Sequence, residues 1–173
     1  MSQQTPGKRA GRVFMVLAWC AALFLATRFF GQWEVRQQNP NMVVSSERGE
    51  DFIEVKLASN NQGHFVASGQ INGQPVDFML DTGATDVSIP AEMAERLKLE
   101  KGFGVTLSTA NGRTQGYRTR IDRLQLGDIV LRDVRALVVP GLDGKQVLLG
   151  MSALNKLEFT QRGGTMLLRQ TTN

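Results

Sequence analysis

The sequence predicts a mainly β domain with one middle helix and one short C-terminal helix, preceded by a single N-terminal transmembrane helix. Three observations carry this. From Asp51 onward apolar and polar residues alternate mostly with period two, the period of a strand with one buried face. Glycine is frequent (18) and proline sparse (5), as in a strand-rich chain with many turns. Residues 13–27 carry no charge and are flanked by basic residues.

Composition narrows the chemistry. The 173 residues are 42% hydrophobic and 21% charged, enough apolar material for one domain plus an appendage. The net charge of +4 sits mostly in residues 1–50, which carry +3. The body is nearly neutral, so no nucleic-acid footprint is expected. One cysteine, Cys20, excludes an intramolecular disulfide. With a single histidine, His64, no zinc cluster is expected, and His64 reads as a plain strand residue. No cofactor is needed if carboxylates do the chemistry.

The elements follow in order. Lys8, Arg9 and Arg12 precede the apolar run, and Arg28, Phe29, Phe30 and Trp33 follow it. A spanning helix needs about 17–25 residues. Snorkelling of Arg28 would extend the span to Trp33 in the aromatic belt. The basic flank predicts a cytoplasmic N-terminus and a periplasmic or extracytoplasmic body. The alternative is a cleaved signal peptide, but a small-x-small site is missing after the run. The expected division is a basic tail at 1–12, a signal anchor at 13–33, a polar linker at 34–50 and the strand-rich body at 51–173.

Strands are expected at 52–57, 64–67 and 76–80, the last two joined around Asn72-Gly73. A helix is expected at 90–99, with Pro90 at its first position and Met93 and Leu97 on one face. Further strands are expected at 105–109, 114–121, 124–126, 129–131 and 134–139. Asn111-Gly112, Gly127-Asp128 and Asp143-Gly144 mark turns. A short helix at 151–156 and strands at 157–160 and 166–170 close the chain, with Gly163-Gly164 between them.

Residues 78–85 read Phe-Met-Leu-Asp-Thr-Gly-Ala-Thr. Apolar residues deliver Asp81 into a tight turn, where Thr82 offers a hydroxyl and Gly83 allows close approach. Peptide hydrolysis by carboxylates needs two acids sharing one proton, one as base toward water and one as acid. The bland alternative for Asp81 is a turn acid capping the loop.

This stretch resembles the active-site motif of retropepsin-like (retroviral-type) aspartic proteases. Leu148-Leu149-Gly150 matches that family's second motif, and the N-terminal anchor is similar to its bacterial membrane-anchored group. The resemblance implies an acid-protease β-barrel half with a flap hairpin. It implies that Asp81 is catalytic, with Thr82, Gly83 and Ala84 forming the active-site loop and Thr82 bracing a dimer. Gly83, Asp86 and the flap-tip residues Ala110, Asn111 and Gly112 would then bind a peptide or protein substrate. No second Asp-Thr/Ser-Gly occurs in the chain, so a homodimer with one Asp81 per copy is implied. The expected activity is that of a membrane-tethered aspartic endopeptidase. The alternative is a non-catalytic peptide-binding or scaffold module on the same fold.

Overall fold

The computed structural model describes residues 7–109, 112–142 and 145–172. The chain forms two compact units, Met1–Gln37 and Gln38–Asn173. The first is carried by helix α1, Gly7–Gln38. Its stretch Gly11–Gln38 is long and apolar enough to cross a membrane, and none of its most apolar window is buried in protein. At 1.5 Å per residue that stretch is about 42 Å long, against a hydrocarbon core of about 30 Å. Length and composition fit a membrane span or a signal sequence. The helix outruns the expected end at residue 33 because no breaker occurs before Pro40, which disfavours helix at Asn39.

The second unit begins earlier than the sequence reading places it. Residues 39–48 fall in the expected linker, yet Asn39 and Asn41 are buried. The Asn41 amide donates to the Ala58 and Val66 carbonyls at 2.8 and 2.7 Å. Its Oδ1 accepts from the Ala58 amide at 2.8 Å. Strand β1, Ser46–Arg48, then pairs antiparallel with β2, Phe52–Ala58. Polar side chains stitch this segment into the body, so its hydropathy shows no period.

β2 is flanked on its other side by β11, Thr165–Thr171, and β11 by β10, Glu158–Arg162. These make a four-stranded sheet in the order β1-β2-β11-β10.

The remaining strands form one larger sheet. They are β3 (Val66–Ile71), β4 (Gln74–Leu80), β5 (Val87–Pro90), β6 (Gly104–Thr109), β7 (Gly112–Leu126), β8 (Ile129–Val139) and β9 (Gln146–Leu149). Their order is β3-β4-β9-β5-β8-β7-β6. A further pairing, Ile71 with Leu124, joins β3 to β7 and closes the sheet on itself. Closure pairs the outer edges of the run from β3 to β7, with β6 left beside β7, and encloses a core of Phe78, Ile89, Ile121, Leu126 and Leu149.

Several expectations shift in detail. The Asn72-Gly73 turn is present, with φ of 50° and 80°, as a type I′ turn requires. The pairs of strands expected across 114–126 and 129–139 are each one strand, because a long hairpin runs through their polar residues. The middle helix α2 is Ala91–Arg96, with Pro90 as its N-cap and the end of β5. Lys98 at φ 54° stops it early. β5 was not anticipated: its four residues are too few to show a period. Met93 and Leu97 do share the buried face. The short C-terminal helix α3 is Met151–Leu154. Thr109 pairs with Gly112, so β6 and β7 form the expected hairpin. Its tip residues Ala110 and Asn111, like Asp143 and Gly144, lie outside the described residues.

Candidate active site

The site grows from one topological fact. β9 lies between β4 and β5, parallel to the first and antiparallel to the second. Leu80 of β4 is level with Leu149 of β9. The connection from β4 to β5 must therefore pass over the end of β9. That connection is residues 81–86, and the residue at the strand end beneath it is Gly150.

The contacts are mutual. The Asp81 amide donates to the Leu149 carbonyl at 3.2 Å. The Met151 and Ser152 amides donate to the Ala84 and Thr85 carbonyls at 2.8 and 2.9 Å. A Cβ on Gly150 would stand 2.4 Å from the Asp86 carbonyl oxygen and 2.7 Å from that of Ala84. Only glycine lets the loop sit this low. The two motifs, read separately in the sequence, are one structural unit.

Within the loop, the Gly83 amide donates to Asp81 Oδ1 at 2.9 Å. A Cβ on Gly83 would crowd the same oxygen at 3.2 Å. The Ala84 amide donates to the Asp81 carbonyl at 3.2 Å, closing the turn. Asp81 is half-buried, whereas Thr82 and Gly83 are exposed. Among the described residues, the Thr82 hydroxyl has no partner within the chain. The apolar floor is real: Phe78 is fully buried and Leu80 packs against the core.

Leu148 and Leu149 lie in β9, with Leu149 buried. Gly112 opens β7 at φ 107°, on the hairpin expected to form the flap. The structure puts Asp86 in different surroundings from Asp81. Its Oδ1 is buried and accepts no hydrogen bond, and Arg135 Nε stands 3.8 Å away. With Arg118, Arg135 and Phe103, it lines a cavity of about 560 Å³ to which Asp81 does not contribute.

One functional support was missed. The Ser152 hydroxyl donates to the Arg135 carbonyl at 2.7 Å and accepts from the Val87 amide at 3.0 Å. It pins the end of the loop to β8. At the start of a helix a serine reads as a cap, yet this one makes no cap bond and reaches across instead. Nothing in its spacing signals that.

Arg120 and Asp133 pair at the surface between β7 and β8. The hydrogen bond from the Arg120 guanidinium holds the Asp133 carboxyl below its ordinary value, and the arginine is raised in return. Among the described residues no group of three or more His, Cys, Asp or Glu is placed to hold a metal ion.

Residues 67–156 match the family model described as "gag-polyprotein putative aspartyl protease". An uncharacterized protein of Sinorhizobium sp. is 33% identical over 122 residues, covering 69% of this chain. The match spans about half of that relative, 52% of its length. An uncharacterized protein of Rickettsia prowazekii is 26% identical over 161 residues, covering 87% of this chain and 68% of the relative. Among solved structures, a retropepsin-like aspartic protease from Rickettsia conorii aligns with a TM-score of 0.62 at 27% identity. That alignment covers 75% of this chain and 96% of the other. The shared fold, the family match and the joined motifs lead to one conclusion: the chain belongs to the retropepsin-like aspartic protease family.

Proposed function

We propose that this protein is an aspartic endopeptidase that works as a homodimer, with water activated between two Asp81 carboxylates. α1 tethers it to the bacterial inner membrane, N-terminus inside and body outside. The carrying observation is the loop of residues 81–86 locked over Gly150, with the Asp81 carboxylate held by the Gly83 amide. That arrangement presents one acid and one exposed Thr82 hydroxyl at the surface, as a half-site awaiting its twin would.

The chemistry follows from pairing. Two carboxylates a few ångströms apart cannot both ionise, so they share one proton. The ionised member takes a proton from water, which attacks the scissile carbonyl. The protonated member polarises that carbonyl oxygen and then protonates the leaving amine. The apparent pKa values belong to the pair, and a bell-shaped pH profile is expected. The β6–β7 hairpin would cover an extended substrate by strand addition, with Gly83 and Asp86 meeting its main chain. The Asp86 Oδ1 is buried 3.8 Å from Arg135 Nε and accepts no hydrogen bond, so meeting a substrate would require it to turn from that cation.

The test is Asp81→Asn in the full chain, purified in detergent and assayed on a peptide library. Cleavage should fall by at least about a thousandfold, with an unchanged thermal transition. Turnover at the parental rate by that variant would defeat the assignment. Saturable peptide binding by the parent, with no cleavage at any pH, would favour the non-catalytic module.

A further inference from the structure

The β7–β8 hairpin carries an arrangement that sheets normally avoid. Arg123 of β7 is level with Arg132 of β8, and both are exposed. Residues directly opposite in an antiparallel pair share a face, and like charges there are destabilising. The Arg123 backbone bonds Asn72 and not β8. Its amide donates to Asn72 Oδ1 at 3.0 Å, and its carbonyl accepts from the Asn72 amide at 2.8 Å. Arg123 and Arg132 therefore form the close, non-bonded kind of pair, with Cα atoms about 4.5 Å apart.

A further cation joins them. Lys156, which follows α3, donates from Nζ to the Arg132 carbonyl at 2.7 Å and the Asp133 carbonyl at 3.2 Å. Those bonds hold the ammonium against β8 and leave one of its N–H groups unspent. Arg123, Arg132 and Lys156, with Val130, Leu131 and Gln170, line an open pocket of about 470 Å³. Among the described residues no carboxylate lines it. The neighbouring acids are engaged elsewhere: Asp133 pairs with Arg120, and Asp122 lines the cavity beside Asp86. Gln170 is tied to the Val130 backbone through both Oε1 and Nε2, at 3.0 and 2.8 Å. Arg123 Nη2 reaches only the neutral Gln125 Oε1, at 2.9 Å, and the Arg132 guanidinium has no partner among the described residues.

We infer that this pocket binds a doubly charged phosphate group, gripped by Arg123, Arg132 and Lys156. The choice of anion follows from charge and shape. A phosphomonoester carries about −1.5 to −2 at pH 7 and has three strong acceptor oxygens. Guanidinium forks take such oxygens in pairs, and the ammonium takes one as a point charge. A carboxylate brings one charge and two oxygens, too few for this set of cations. A bound phosphate would turn the repulsive Arg123–Arg132 contact into a bridged one. The pocket is roomy enough to admit the group that carries the phosphate, so a lipid headgroup and the free anion share the required chemistry. The inference stands apart from the protease reading, because Asp81 takes no part in it.

The test is titration calorimetry on the full chain in detergent, in a buffer free of phosphate. Inorganic phosphate should bind saturably at one site per chain and raise the melting temperature. Arg132→Gln and Arg123→Gln should each weaken that binding about tenfold or more, as loss of a charge-assisted bond does. Arg132 has no partner to lose, so without ligand Arg132→Gln should melt no lower than the parent. Acetate at the same concentrations should not bind. No saturable phosphate binding, binding that both substitutions leave intact, or equal binding of acetate would overturn the inference. Short-chain phosphatidate that binds more tightly than inorganic phosphate, with the same dependence on Arg132, would assign a lipid headgroup. The reverse order would assign the free anion, and either order upholds the site. A parent that binds phosphate but cleaves no peptide would uphold the pocket and count against the protease reading alone.

Discussion

Gly150 seats the loop that carries Asp81. Its missing side chain is the space that the Ala84 and Asp86 carbonyls occupy. Gly150→Ala must push the loop off its seat, because the obstacles are backbone and cannot rotate away. The expected cost is about 1–3 kcal/mol, as for overpacking elsewhere, together with most of the activity. Urea denaturation and peptide cleavage on the same preparation check both, and a stable, fully active variant would refute the seating argument. At this scale the sequence was only partly legible. The Asp81 motif announces itself through its residue types, and Gly150 through its position after two leucines. The crossing role of Ser152 is not written in any local pattern, since its partners, Val87 and Arg135, are distant in the chain.

Elements with a clean period were readable, and those held by polar groups were not. β2, β4 and β11 alternate, and the structure has them within a residue or two of expectation. The segment around Asn41 does not alternate, because one amide substitutes for a stretch of ladder. Asn41→Ala would leave the Ala58 amide and two carbonyls without their partner inside the body. A loss of about 2–3 kcal/mol is expected from the stranded backbone groups, read as a lower denaturation midpoint. A change within error would return residues 39–48 to linker status. On the β7–β8 hairpin, Asp133 has a positive φ of 53°, which asparagine tolerates. Its lowered carboxyl stabilises the fold fully above the ordinary value of about 3.9. That contribution is lost as pH falls through the lowered value. Asp133→Asn should therefore flatten the acid limb of the stability curve, measured by thermal melts from pH 6 downward through the ordinary carboxylate value. An acid limb as steep as the parent's would show the pair to be idle.

The whole molecule has a stoichiometry that can be counted. If each site takes one Asp81 from each of two copies, mixing parent with Asp81→Asn gives hybrids lacking one acid. With free exchange, an equal mixture should retain about a quarter of the activity expected from total protein. Retention of about half would mean that each copy acts alone. Fold class was legible at this scale because strand period and turn residues agree along most of the body. The closure of the sheet through β3 and β7 was not, since two residue pairs decide it. The same topology governs when the Asp81 loop can take its seat. Asp81 is made some seventy positions before the strand that slides between its neighbours and the glycine that receives its loop. If Asp81 is the cutting group, a growing chain carries it unseated, and harmless to the machinery producing it, until that glycine has been added.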